Sequence, residues 1–593
     1  MLELIRRFGK GYGGRCAMGV TTKVLEVIFN LLTPVIVARM IDVGVRTRDV
    51  AYVIRMGILL VVLALVGYLF TLVCQKMAAL ISQGMGTDLR RALFHRISGY
   101  GASELDRLGT ASLVTRVTND VNQVQVAIAL GIRQLVRWPL LAVGSMIAAL
   151  MINLKLGLIF LVCTPLIGLI FWFVMSRSIP YFHDMQAKLD RISLITREGL
   201  SGVRVIRAFR QEGREAARFR KAAWDQTQTA ITVNNLSACL SPATFLVMNL
   251  GIVAILWAGG IQVDTGGISQ GEVVAFVNYM MQTLQSVVYV ANLVVIFTRA
   301  SASSRRILEV FDGEVEVADK PDAVAPDLEH SSARALCFDH VCFAYHGSKI
   351  DAVHDVTFEL AGGGTLGVIG GTGSGKSTVA NLIVRLYEVR EGSVDVFGRD
   401  VRDWPLHALR TAVSIVPQQA SLVSGTIRSN LSWRDEKASD EELWKALELA
   451  QAAEFVRQKP ELLDTPVEAG GKNFSGGQRQ RLTIARALVG APRLIVLDDS
   501  ASALDFATDA ALRHALRSLA PAISSVVISQ RVSAVMGADL VLVLDHGKVA
   551  GLGTHTELLE SCSLYREICL SQLRPNELGG AAQSSGNSKE VGL

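Results

Sequence analysis

The segment Gly370-Gly371-Thr372-Gly373-Ser374-Gly375-Lys376-Ser377-Thr378 spaces its glycines, lysine and hydroxyl as G-x-x-x-x-G-K-[ST]. Glycines let a backbone wrap a phosphate, and a helix N-terminus beyond them offers free N–H groups. Lys376 is placed to neutralise the β- and γ-phosphates and Ser377 to ligate Mg²⁺. The apolar run Leu366–Ile369 before it reads as a strand and Val379–Leu386 after it as a helix. That context separates a phosphate cradle from an ordinary glycine-rich turn, so the chain is expected to bind a nucleoside triphosphate with Mg²⁺. More than a hundred residues on, Leu494-Ile-Val-Leu-Asp498-Asp499 is an apolar strand ending in two carboxylates. Asp498 fits the position that holds Mg²⁺, and Asp499 the one that activates water.

These residues need a rigid support. From Ala335 onward, short apolar runs alternate with helical stretches, the pattern of an α/β domain. Before residue 312 the chain is different. Charge-free apolar runs occur at Met56–Gln75, Trp138–Leu154, Leu156–Ser176, Gln226–Val263 and Val273–Thr298, and Val24–Ile41 is apolar apart from Glu26 and Arg39. A bilayer needs about 20 apolar residues per helix, so about six spans are expected. Gln226–Val263 as one helix would be roughly 57 Å long, so part of it must project beyond a hydrocarbon core of about 30 Å.

Arg6, Arg7, Lys10 and Arg15 near the start, and the Arg- and Lys-rich stretches 76–133 and 177–225, predict cytoplasmic loops and termini. Gly260–Glu272 has no Lys or Arg and is expected outside. The divisions read as a membrane domain over 1–311, an acidic linker over 312–333, an ATP-binding domain over 334–573 and a disordered tail over 574–593. Hydrophobic residues make up 50% of the 593 and charged residues 19%, with net charge +5. This excludes a disordered or collagen-like chain, makes a wholly soluble protein unexpected, and gives no global field for nucleic acid. The 8 cysteines are scattered without a C-x-x-C pair, against a disulfide scaffold or zinc site of that type.

Between the P-loop and Asp498 stands Phe474-Ser475-Gly476-Gly477-Gln478. With it the soluble half resembles the nucleotide-binding domain of an ATP-binding cassette (ABC) protein, and the spans resemble the six-helix membrane domain of an ABC exporter of the type IV kind. The resemblance covers the chain up to the tail. It implies a membrane α-helical bundle followed by an α/β P-loop ATPase domain. Phe474–Gln478 resembles the signature loop, with Phe in place of the usual Leu. Ser475, Gly476, Gly477 and Gln478 would then contact the γ-phosphate of ATP held by an opposing domain. Tyr345, in Val341-Cys-Phe-Ala-Tyr345, matches the aromatic that stacks on adenine, although a strand tyrosine in the core is the plain alternative. Gln418 matches the glutamine that touches Mg²⁺ and senses the membrane domain, so the expected Mg²⁺ set is Ser377, Gln418 and Asp498. Ser502-Ala-Leu-Asp505 matches the D-loop. Glu104–Asp120 and Glu198–Glu212 resemble the segments around the two coupling helices.

Two departures bear on mechanism. Active members of the family carry glutamate at the position of Asp499 and histidine at that of Gln530. Aspartate is one methylene shorter, and a misplacement near 1 Å can cost about 100-fold in rate. Glutamine can hydrogen-bond a phosphate but cannot carry histidine's charge or proton. Both changes fall in one site, which predicts that it binds ATP and hydrolyses it poorly. The intact signature loop then predicts a heterodimer in which a second half-transporter supplies the competent site. A homodimer with slow Asp499-based hydrolysis, an importer of the siderophore type on the same scaffold, and an ATP-binding regulatory subunit are the rivals.

For cargo, Asn278, Gln282, Gln285, Tyr289 and Asn292 fall within roughly an 80° arc of the last span. Facing lipid would be costly, so they are expected to line either a cavity or a helix–helix contact. Glu26 inside a span either attracts a cationic cargo or pairs with Lys23. Lipid, drug and peptide stay open as cargo, with a small, multidrug-like amphipathic molecule as the default the resemblance implies; a multi-pass protein of the cytoplasmic (inner) membrane in contact with lipid is expected, and no nucleic-acid partner.

Overall fold

A computed structural model describes residues 1–326, 334–500, 503–519 and 523–573; Ser502, part of the linker and the tail 574–593 lie outside the described residues. The chain divides into two compact units. One comprises Met1–Ser98 and Ala111–Gly313, the other Gly99–Thr110 and the chain from Glu314.

Among the described residues, six helical stretches of the first unit are long and apolar enough to cross a membrane: Lys10–Val45, Val50–Ser98, Thr110–Ile152, Leu154–Ser201, Glu212–Asp264 and Gln270–Asp312. A span needs about 20 residues, so all of them outrun the bilayer, not the fifth alone. Ile54, Ile58, Val61, Leu65, Leu69 and Leu72 stay exposed along Val50–Ser98, which suits a lipid surface.

The helix breaks have local causes. Asn153 caps Leu154–Ser201 by accepting from the N–H of Lys155 (3.0 Å) and Leu156 (3.3 Å). Ser269 and Glu272 form a capping box at the start of Gln270–Asp312. There Gly271 donates its N–H to Asp42 at 2.8 Å. A Cβ on Gly271 would lie 2.2 Å from the Ala38 carbonyl oxygen, so only glycine fits. Further along that helix, Arg306 donates through Nε (2.8 Å) and Nη2 to Asp120, and Ser303 donates to it at 2.9 Å. Asp120 is fully buried, and a buried carboxylate needs such partners. Arg116, one π-helical turn earlier, pairs with Glu309 at 2.8 Å.

The second unit is built on a six-stranded sheet. Its order is Lys548–Gly553, Leu540–Asp545, Thr365–Gly370, Ser524–Ile528, Leu494–Asp498, Val413–Val416. The first pair is antiparallel and the rest are parallel. Leu366, Val368, Ile369 and Leu494–Val496 are fully buried, as expected for strands covered on both faces. A second, antiparallel sheet contains Val353–Ala361, Arg334–Phe343 and Glu391–Val396. Trp404, Phe338 and Leu336 fill the core it shares with the first.

Also in this unit is the helix Ala102–Leu108. Its Glu104 accepts from the Glu316 N–H at 2.6 Å, and its Asp106 accepts from the Tyr387 hydroxyl at 2.6 Å.

Candidate nucleotide site

Parallel pairing decides where the chemistry collects. Thr365–Gly370, Ser524–Ile528 and Leu494–Asp498 are adjacent, with Ile528 paired to Val368 on one side and to Asp498 on the other. Their carboxyl ends therefore deliver the P-loop, Gln530 and the Asp498–Asp499 pair to one edge, where ligands bind open α/β sheets.

The P-loop turns through Gly373 and Gly375, whose φ values of 79° and 96° lie in the left-handed region. A Cβ on Gly375 would also meet the Ala352 carbonyl oxygen at 2.5 Å. Lys376 opens the helix Lys376–Ile383 and is 8% exposed. Its ammonium donates to the carbonyls of Gly370 (3.0 Å) and Gly371 (2.6 Å). Burial lowers its pKa, against the pull of Asp499 and Asp498. Ser377 donates to Asp498 at 3.0 Å.

Burial raises the pKa of Asp498, and it does the same to Asp499. Asp499 sits at φ 46°, a left-handed backbone that aspartate tolerates better than most residues. Its N–H donates to the Ile528 carbonyl at 2.9 Å, and its carboxylate accepts from Gln418 Nε2 at 3.3 Å. Tyr345 packs edge-on to Phe343 and Tyr387 at 5.0 and 5.2 Å and shares a 3.1 Å hydrogen bond with Thr378.

These residues enclose a cavity of about 280 Å³. Of the residues expected from sequence, it gathers Tyr345, Thr372–Thr378, Gln418, Asp498, Asp499 and Gln530. Ala352 and Ile528 also line it. Neither has a chemical group that a sequence motif would flag. Gly370 and Gly371 act through the carbonyls that hold Lys376. The oxygens of Ser377, Asp498 and Gln418 are the hard donors that suit Mg²⁺.

Ser475, Gly476, Gly477 and Gln478 are not in that lining. Ser475 caps the helix Gly476–Leu488, and Gln478 closes a capping box with it. Phe474, in place of leucine, is 5% exposed and packs edge-on to Phe455. Asp505 caps Phe506–Arg517, accepting from the N–H and hydroxyl of Thr508, both at 2.9 Å, and these bonds hold its carboxyl below the ordinary range.

In the membrane unit, Glu26 is buried and paired with Lys23 and, at 3.3 Å, with Arg137. Arg137 lies 4.9 Å from the Trp138 ring, and Trp138 stacks on Tyr289 at 4.2 Å and 2°. Gln282 accepts from Ser145 at 3.4 Å, and Asn278 donates to its own helix at Val274. Gln285 and Asn292 are exposed.

A P-loop nucleotide site on a mainly parallel sheet, fused to six long apolar helices, defines a membrane-bound P-loop ATPase. Residues 16–287 match the ABC transporter transmembrane region and residues 353–502 the ABC transporter family. An uncharacterized ABC transporter ATP-binding protein of Mycobacterium tuberculosis is 35% identical over 583 residues, spanning 98% of this chain and 100% of the relative. A Bacillus subtilis protein of the same description is 34% identical over 565 residues, 95% of this chain and 97% of the relative. A multidrug efflux ATP-binding/permease protein of Mycobacterium tuberculosis is 30% identical over 551 residues, 93% of this chain but 46% of the relative. A bacterial Atm1-family ABC exporter solved with ATP bound superposes with a TM-score of 0.76 at 23% identity, covering 96% and 99% of the two chains. The chain belongs to the ABC transporters. It is a multi-pass, ATP-binding half-transporter with the exporter fold.

Proposed function

We propose that this chain is one half of an ATP-driven exporter of small amphipathic molecules. It pairs with a second, different half-transporter in the cytoplasmic (inner) membrane, with both termini in the cytoplasm. Its own P-loop site holds Mg²⁺ and ATP through Lys376, Ser377, Gln418 and Asp498, and hydrolyses slowly. Closure on ATP switches the membrane cavity outward, and hydrolysis at the partner's site resets it.

The observation that carries this reading is the joint position of Asp499 and Gln530 in the cavity of Lys376. A shortened carboxylate engaged by Gln418, and a neutral amide where charge is needed, weaken the same reaction. Ser475 to Gln478, set at a helix N-terminus outside that cavity, are available to a partner's nucleotide. The multidrug efflux relative, of which this chain matches 46%, supports efflux of drug-like molecules and a working unit of two such halves.

The test is Asp499→Asn in the complex drawn from its native membrane, with the mass and composition of that complex. A heterodimer whose ATPase survives is expected. A homodimer that loses its ATPase would refute the reading and make Asp499 the working base.

A further inference from the structure

The turn that carries Tyr345 has a second cluster at its base, outside the nucleotide cavity. Cys342, 5% exposed, lies on the strand Arg334–Phe343. Asp351 and His354 flank the start of the strand Val353–Ala361. The Ala352 N–H, bonded to the Phe343 carbonyl at 2.8 Å, closes the turn between them. His354 Nδ1 is 2.9 Å from Asp351 Oδ2 and 3.8 Å from Cys342 Sγ. All three ligand atoms lie within 4.8 Å of one another.

That spacing suits one metal ion. With Zn–S of about 2.3 Å and Zn–N and Zn–O of about 2.0 Å, the edges of a tetrahedral site are roughly 3.6 Å for S···N and 3.3 Å for N···O. The observed S···N of 3.8 Å is a little longer than that edge and the observed N···O of 2.9 Å a little shorter than its own. Cys342 Sγ also accepts the Asp355 N–H at 3.2 Å, a bond that supports a sulfur carrying negative charge. Arg390 grips Asp351 at 2.8 and 3.1 Å. It orients the carboxylate as an outer-shell partner, and the carboxylate oxygens keep lone pairs for a metal.

We propose that Cys342, Asp351 and His354 form a binding site for a thiophilic divalent cation of the zinc class. The side chain of His354 is 48% exposed, which leaves the fourth position to water. Binding displaces the thiol proton of Cys342 to solvent and moves the Nδ1 proton that His354 shares with Asp351 to Nε2, leaving a neutral imidazole with Nδ1 free for the metal. The cation would pin the two ends of the turn that holds Tyr345. The site does not depend on the export reading; its link to nucleotide depends only on Tyr345 meeting adenine.

The experiment uses the full chain in detergent, without a polyhistidine tag and with the exposed Cys239 replaced by serine in every sample. Zn²⁺ is titrated calorimetrically, and Cd²⁺ by ultraviolet absorption of the metal–thiolate bond. The expected result is one Zn²⁺ per chain, thiolate absorption with Cd²⁺, and a loss of about 10–100-fold or more in affinity in both Cys342→Ser and His354→Gln. Unchanged Zn²⁺ affinity in both variants, or no Cd²⁺–thiolate band, would overturn the site. Each variant's ATP binding without metal shows that it is folded. A several-fold change in ATP affinity on adding Zn²⁺ to the parent chain, absent in Cys342→Ser, would tie the site to Tyr345, and no change would overturn that link.

Discussion

Tyr387 donates its hydroxyl to Asp106 at 2.6 Å while its ring meets Tyr345 edge-on at 5.2 Å. One side chain thus touches both the helix Ala102–Leu108 and the aromatic on the rim of the nucleotide cavity. Burial, together with the Asp106 carboxylate, pushes the phenol's pKa well up, so Tyr387 remains a donor at any physiological pH. Tyr387→Phe keeps the ring and loses the bond. We expect a cost of about 1 kcal/mol in stability with ATP affinity little changed, read by thermal unfolding and nucleotide titration. Tyr387→Ala also removes the support of Tyr345 and should weaken ATP binding. Equal ATP affinity in the two variants would count against that relay.

Asp499 and Gln530 can be converted to the glutamate and histidine that the resemblance implies for a competent site. Asp499→Glu with Gln530→His should raise the ATPase rate at this chain's site, by up to about 100-fold if a 1 Å misplacement is what limits it. The comparison is made at saturating ATP, in a complex whose partner site is disabled. A flat rate with ATP binding intact would place the defect elsewhere.

Glu26 serves two buried or half-buried cations, Lys23 and Arg137. Glu26→Gln leaves them without a counter-charge, and breaking such a pair costs about 3–5 kcal/mol. We expect a large drop in the thermal midpoint of the purified chain, with Lys23→Met restoring part of it. A variant as stable as the parent whose transport of cationic amphipaths alone is lost would instead assign Glu26 to cargo.

His555 is 6% exposed, with Nδ1 2.8 Å from the Tyr565 hydroxyl, and burial holds its pKa below the usual 6.5. The unfolded chain takes up a proton near pH 6.5, the folded chain only at lower pH. In that window the unfolded state binds more protons, so stability falls as pH drops below 6.5 and this term is constant above it. Thermal unfolding at about pH 8 and about pH 5 should show a smaller loss in His555→Gln than in the parent. Parallel losses would clear His555 of the effect.

The nucleotide site was legible because its residues follow strand ends, and strands announce themselves as short apolar runs. Leu366–Ile369 and Leu494–Leu497 marked the two strands that flank Ser524–Ile528, and parallel pairing did the rest. The membrane helices were legible only in their apolar middles. Their charged continuations, such as Arg90 to Arg96 at the end of Val50–Ser98, carry no hydropathy signal. Nor could sequence pair Glu26 with Arg137 or stack Trp138 on Tyr289. Those partners are more than a hundred residues apart, and their meeting depends on helix packing.

The division of the chain has a mechanical consequence. Because Gly99–Thr110 belongs with the ATPase unit, the backbone passes between the two units at 98/99, 110/111 and 313/314. A single connection would act as a tether, whereas this one is stitched. Cutting the chain after Gly313 would not free the ATPase unit, since Ala102–Leu108 would still be held in it through Glu104 and Asp106. Tension on those stitches would pass straight along covalent bonds into three long helices, Val50–Ser98, the stretch that begins at Thr110 and Gln270–Asp312.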